Sequence, residues 1–292
     1  MSNEDKLGRV LDRLESLVGR VEAMVPAPPA TLDLASALAF RWRRANGVGR
    51  LQAVEHTHEV QLGDLHSIDR QKQELYRNTL QFVQRLPANN ALLWGSRGTG
   101  KSSLVKALFN EFSDRGLRLI EVDKKDLTDL PEIVDQIRDS SDRYVLFSDD
   151  LSFEANDPSY VALKAILDGS VHAPPENVLI YATSNRRHLL PEYMSDNLGA
   201  HRVDGEIHQS EAVEEKISLS ERFGLWISFY PFKQDQYLEI AFYWLSAFDA
   251  LPEDEEEARH AALQWALTRG SRSGRSAYQF ALDWSGRRRL ED

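Results

Sequence analysis

The sequence contains no cysteine at all. That excludes a disulfide framework, thiolate zinc sites and a cysteine nucleophile. No apolar run approaches the ~18 residues that a membrane span needs. The first residues (Met1, Ser2, Asn3, Glu4, Asp5, Lys6) lack the basic-then-apolar pattern of a secretory signal. Positive charge is short as well: the formal net charge is −11, which argues against the whole chain coating a phosphate backbone. Internal repeats and low-complexity tracts are missing too. These absences lead to the expectation of a soluble cytoplasmic protein without membrane contact.

What is present is a chain of 292 residues, 42% hydrophobic, enough for a substantial core plus a smaller domain. Its charge is uneven. Arg269, Arg272, Arg275, Arg287, Arg288 and Arg289 crowd the C-terminus, whereas Asp204, Glu206, Glu211, Glu214 and Glu215 crowd an earlier segment that reads as a solvated loop. The eight histidines show no metal-ligand spacing.

The chain divides into four parts. Residues 1–26 predict an amphipathic helix whose Leu7, Leu14 and Val21, and Val10, Leu17 and Met24, recur every seven residues. Such a seam either joins a coiled coil or partner protein, or docks on the chain's own core. Pro26, Pro28 and Pro29 break it. Residues 27–59 form a linker and a second helical segment, with a helix expected over Leu32–Arg44 and ended by Gly47 and Gly49. Residues 60–231 alternate apolar strands (Asn89–Trp94, Leu117–Val122, Tyr144–Phe147, Val178–Thr183, Trp226–Phe229) with helices. That alternation implies a three-layer α/β domain around a parallel sheet. Residues 232–292 show only helical periodicity and predict a small helical domain.

The strongest motif is Gly95-Ser96-Arg97-Gly98-Thr99-Gly100-Lys101-Ser102, which satisfies G-x-x-x-x-G-K-S/T at every fixed position. A strand (Ala91 to Trp94) leads in and a helix leads out. Glycines there let the backbone turn its N–H groups around a β-phosphate at the positive end of a helix dipole. Lys101 would reach the β- and γ-phosphate oxygens, and the Ser102 hydroxyl would ligate Mg²⁺. The expected nucleotide contacts run from Gly95, Ser96, Arg97, Gly98, Thr99, Gly100, Lys101 and Ser102 to Ser103.

Four other segments could complete a hydrolytic site. The strand Tyr144 to Ser148 ends in Asp149-Asp150. Asp149 suits the metal, and Asp150 stands where a water-activating carboxylate belongs. The strand Val178 to Thr183 runs into Ser184-Asn185, where Asn185 either contacts a γ-phosphate or caps a turn. Arg222, just ahead of the last strand, could project from its own subunit as an arginine finger, worth roughly 10³–10⁵ in rate. Arg275 could fold over the same phosphates, with Arg272 as a second candidate. For each arginine a surface ion pair is the alternative.

In this order the five segments resemble the AAA+ ATPase family over roughly Val60 to Trp284. More narrowly, the chain resembles an uncharacterised group of bacterial AAA+ proteins known only as a domain of unknown function. The residues that carry this are Asp64-Leu65, Asp69-Arg70-Gln71-Lys72, Asn78-Thr79, Leu146 to Glu154 and Thr183 to Leu189. A more distant similarity runs to helicase loaders, initiators and transposition ATPases. The resemblance implies a P-loop NTPase core with the helical domain as its lid, ATP and Mg²⁺ as cofactors, and Asp64-Leu65…Ile68 around the adenine. It implies Asn185 as first sensor, Arg222 as finger and Arg275 as second sensor. It also implies a homo-oligomeric ring or spiral, because the finger acts in trans. Adenine over guanine rests on this likeness and on the absence of an Asn-Lys-x-Asp motif. One departure stands out: relatives carry Asp-Glu where this chain has Asp149-Asp150. The shorter side chain withdraws its carboxylate by ~1.5 Å, which slows hydrolysis unless Glu154 substitutes.

Two functions follow as expectations. One is an ATPase that remodels or loads a protein or nucleoprotein partner. The other is an ATP-gated scaffold or switch with little turnover, docked through the N-terminal helix. Nucleic acid as the partner is the weaker variant, motivated by the C-terminal arginines and opposed by the acidic total.

Overall fold

The computed structural model describes residues 13–17, 34, 37–45, 47–153, 157–168, 175–187, 189, 201–203, 206–208, 219, 221–252 and 254–291. The chain divides into two units, Met1–Ser36 and Ala37–Asp292. Of the first, the described residues are a helical turn at 13–17, with Leu14 and Leu17 exposed, and Leu34. The remainder of the expected heptad seam lies outside the described residues, as does most of the acidic segment from Asp204 to Glu215.

The second unit is built on a seven-stranded sheet of order β2-β1-β4-β5-β6-β3-β9. Its strands are β1 (Ala39–Ala45), β2 (Val48–Ala53), β3 (Ala91–Gly95), β4 (Leu117–Glu121), β5 (Arg143–Ser148), β6 (Val178–Ser184) and β9 (Leu225–Phe229). A separate antiparallel pair, β7 (His201–Val203) and β8 (Glu206–His208), falls between β6 and β9 in sequence. All neighbours in the large sheet run parallel except β1 and β2. β5 is buried along its whole length and β6 at all but its first residue, which is why 144–147 and 178–182 read as unbroken apolar runs.

Alternation along the strands sorts the core into two faces. Leu93, Leu119, Val145, Phe147 and Tyr181 join the core beneath helices α1 (Asp69–Val83) and α2 (Lys101–Phe112). Leu92, Ile120, Leu146 and Ile180 are buried between them on the other face. On that side α3 (Leu130–Ile137) and α4 (Pro158–Asp168) pack on each other. Three layers result. Helices α5 (Gln234–Ala247), α6 (Glu255–Arg269) and α7 (Gly274–Glu291) pack together as the C-terminal helical element. Among the described residues no helix is long and apolar enough to cross a membrane.

The helix expected over Leu32–Arg44 is corrected by the hairpin β1–β2. The period is two rather than 3.6: Phe40 and Trp42 point inward, while Arg41 and Arg43 point out to Glu121 and Asp123. Gly47 makes the turn at φ +81°. Gly49 does not end a helix but lies flat under Trp42, whose ring would be 2.0 Å from a Cβ at that position. Trp42 is fully buried, and its indole N–H donates to Asp129 (3.0 Å), which also pairs with Arg44. Truncating Trp42 to Ala should therefore cost about 3–5 kcal/mol, read as a lowered urea midpoint without change in slope.

Candidate functional site

β3 ends against β9. Gly95 has φ +128°, and a Cβ there would sit 1.9 Å from the Phe229 carbonyl oxygen, so only glycine fits. That same carbonyl accepts the Ser96 N–H at 3.0 Å. The Thr99 hydroxyl donates back to Ser96 O (2.8 Å), closing the loop. Gly100, at φ +96°, starts α2, whose first hydrogen bond runs from Leu104 N–H to Gly100 O. The amides of Lys101, Ser102 and Ser103 thus have no intrahelical acceptor and open at the positive end of the helix.

Lys101 is buried to 7% exposure and its ammonium donates to Gly95 O (2.8 Å), Ser96 O (2.7 Å) and Asn185 Oδ1 (3.2 Å). All three of its donors are engaged. Burial lowers its pKa from the ordinary lysine value; Asp149 and Asp150 oppose this, and Arg97 and Arg275 add to it. Ser102 donates to Asp149 Oδ1 at 2.6 Å. Asp149 Oδ1 also accepts from the Thr183 hydroxyl and from Asp150 N–H (3.1 Å). Asp150 is a non-glycine residue at φ +52°, a left-handed position that costs energy. Its carboxylate accepts from the Asn185 amide. Lys101, Asn185 and Asp150 form one chain of hydrogen bonds.

These groups line a cleft of ≈ 950 Å³. Its far wall comes from Leu65, His66 and Ile68 on one side and from Ile240, Trp244 and Tyr278 of the C-terminal helices on the other. The two walls are tied together. Tyr243 donates to Asp64 (2.7 Å), Ser67 donates to Glu239 (2.8 Å), and the His66 and Tyr243 rings lie 4.0 Å apart. The Asp64 carboxylate, with burial, pushes the Tyr243 phenol up to about 12. Gly274 N–H donates to Gly98 O (2.8 Å), joining the start of α7 to the phosphate loop itself.

The residues present suit a magnesium nucleotide. Gly98, at φ +72°, has Ser273 2.9 Å from where a Cβ would be, so the absence of a side chain lets the loop lie close against the start of α7. A hydroxyl and a carboxylate oxygen 2.6 Å apart (Ser102, Asp149) are the hard donors a small divalent cation prefers. Lys101, Arg97 and Arg275 supply positive charge around the same mouth.

Of the residues singled out from sequence, Arg97 to Ser103, Asp149, Asp150, Asn185 and Arg275 all border this cleft, with Gly95 and Ser96 bonded to its lysine. Arg222 does not. It precedes β9 at the end opposite Phe229 and Gly95, on the edge strand of the sheet. Arg272 is exposed between α6 and α7 and does not border the cleft, which favours Arg275 of the two. Glu154 lies outside the described residues. The sequence reading missed Thr183, hidden as one more position of a buried strand. It also missed the aromatic wall of Trp244 and Tyr278, which helical periodicity alone assigns to packing.

The model of a family described as "Protein of unknown function (DUF815)" matches residues 35–288. No curated protein matches the chain. Among solved structures, the Holliday junction branch migration motor RuvB of Thermotoga maritima superposes with a TM-score of 0.50 at 17% identity, covering 76% of this chain. The chain spans 63% of that structure's length. Orc1 of Aeropyrum pernix, solved in complex with DNA, superposes with a TM-score of 0.56 at 15% identity, covering 78% of this chain and 62% of that one. At such identities the likeness is one of fold: the AAA+ fold.

Proposed function

Since the chain belongs to the DUF815 family and has an AAA+ fold, we propose that it is a magnesium-dependent ATPase acting as a homo-oligomer on a protein or nucleoprotein partner. The observation that carries this is the convergence of Lys101, Ser102, Asp149, Asp150 and Asn185 at the mouth of one glycine-rich loop.

In this reading the Lys101 ammonium leaves Gly95 O and Ser96 O for the β- and γ-phosphate oxygens. Ser102 and Asp149, now bonded to each other, would hold the metal. Magnesium, when bound, offsets charge on the β- and γ-phosphate oxygens. Asn185 and Asp150 hold the attacking water; Asp150 takes its proton as the bond from γ-phosphorus to the bridging oxygen breaks and ADP leaves. Arg275, at the start of α7, closes over the phosphates. Arg222 serves the site of the next copy in a ring or spiral, in keeping with its distance from its own cleft. Residues 60–231 then act as the nucleotide-binding body and 232–292 as its lid, in a cytoplasmic protein that meets a protein partner through residues 1–26. A nucleic-acid partner has less support, given the net charge of −11.

One observation favours a second reading, an ATP-gated scaffold with little turnover. The Asp150 carboxylate is one methylene shorter than glutamate and is already engaged by Asn185. A ~1 Å misplacement can cost ~10²-fold in rate.

Lys101→Ala should abolish magnesium-ATP binding measured by calorimetry; undiminished affinity would end both readings. Arg222→Ala should keep wild-type ATP affinity yet lose the rise in specific activity with protein concentration that the wild type shows. In single-turnover experiments Asp150→Glu should speed hydrolysis about 10²-fold if the scaffold reading holds, and leave it within a few-fold if the native enzyme already turns over well.

A further inference from the structure

The side chain that this arrangement leaves unexplained is Thr183. It is 1% exposed, near the end of β6, opposite Leu93 of β3. A buried strand position of this kind suits valine equally in shape, and a buried hydroxyl costs free energy unless it is bonded. Here both of its capacities are used, and on consecutive acids: it donates to Asp149 Oδ1 and accepts Asp150 N–H at 2.9 Å. The backbone around it is tied down as well, with Leu151 N–H on Thr183 O (2.7 Å) and the Ser184 hydroxyl on Leu151 O (2.7 Å).

We propose that Thr183 is a positioning residue of the metal site, keeping Asp149 aimed and Asp150 in its left-handed turn. This rests on the magnesium-ATP reading above. Three donors meet at Asp149 Oδ1: Ser102, Thr183 and Asp150 N–H. When Ser102 gives its hydroxyl to a cation, it stops bracing the carboxylate at the moment bracing matters. Thr183 is the side chain that remains. With Oδ1 held, the Asp149 carboxylate keeps one orientation, and its other oxygen has no partner among the described residues. The same hydroxyl satisfies the N–H that the strained turn at Asp150 would otherwise leave with only the longer contact to Asp149. One group therefore orients the metal acid and the water-side acid together, as outer partners of metal ligands do.

The test uses the full chain and ATP, titrated with Mg²⁺ and compared with EDTA, with binding followed by calorimetry. Thr183→Val should raise the Mg²⁺ concentration needed to tighten ATP binding by about 10–100-fold while leaving affinity in EDTA as in the wild type. Thr183→Ser, which retains the hydroxyl, should return it to within a few-fold. An unchanged Mg²⁺ requirement in Thr183→Val overturns the proposal, and so does loss of metal-free affinity, which would mark a residue of the fold. Should that variant not fold by circular dichroism, Thr183→Ala against Thr183→Ser makes the same comparison, and equal requirements in the two overturn it. A wild type with no Mg²⁺ response sinks the ATPase reading beneath; a responsive wild type matched by Thr183→Val sinks only this one.

Discussion

The arrangement depends on β3 lying between β6 and β9, with its last residue pressed on the Phe229 carbonyl. A strand held on both edges cannot slide, so the loop that leaves it starts from a fixed point. Parallel pairing then brings the ends of β3, β5 and β6 to one edge of the sheet: Trp94 is level with Ser184, and Ser148 with Ala182. The lysine, the two acids and the asparagine each come just past one of these ends. None needs a long loop to arrive.

Charge explains why the cluster tolerates being together. Asp149 and Asp150 are adjacent in sequence, beside a lysine whose burial disfavours its charged form. The acids compensate for that burial, and the lysine compensates for them. A polyanion entering this mouth meets Lys101, Arg97 and Arg275, but also two carboxylates. A divalent cation between phosphate and carboxylate, as proposed above, would reconcile the two.

Much of this was legible because the loop's chemistry is set by sterics: the glycines stand where side chains would collide, and β5 and β6 are apolar along almost their full length. The hairpin β1–β2 was not. Ala37 and Leu38, next to Phe40 and Trp42, resemble a helical stripe until the arginines between them are counted as the outer face of a pleat. Trp244 and Tyr278 stayed hidden for a different reason: an aromatic on a helix looks the same whether it faces a core or a cleft. Thr183 carries no motif of its own, and its hydroxyl gains meaning only when Asp149 is brought across from β5. Arg222 does not border the cleft, and the role proposed for it needs a second copy of the chain.

The bond from Gly274 N–H to Gly98 O has a mechanical side. It fastens the phosphate loop to the first residue of α7, an 18-residue helix. At 1.5 Å per residue such a helix is about 27 Å long, so a tilt of about 10° at its base swings its tip by about 5 Å. The cluster Arg287, Arg288 and Arg289 rides on that tip. Any tilt of α7 about that bond is largest at this far end, where Arg289 donates to Phe248 O (3.0 Å) and Arg288 lies beside Glu257, so those contacts are the ones such a tilt would strain first.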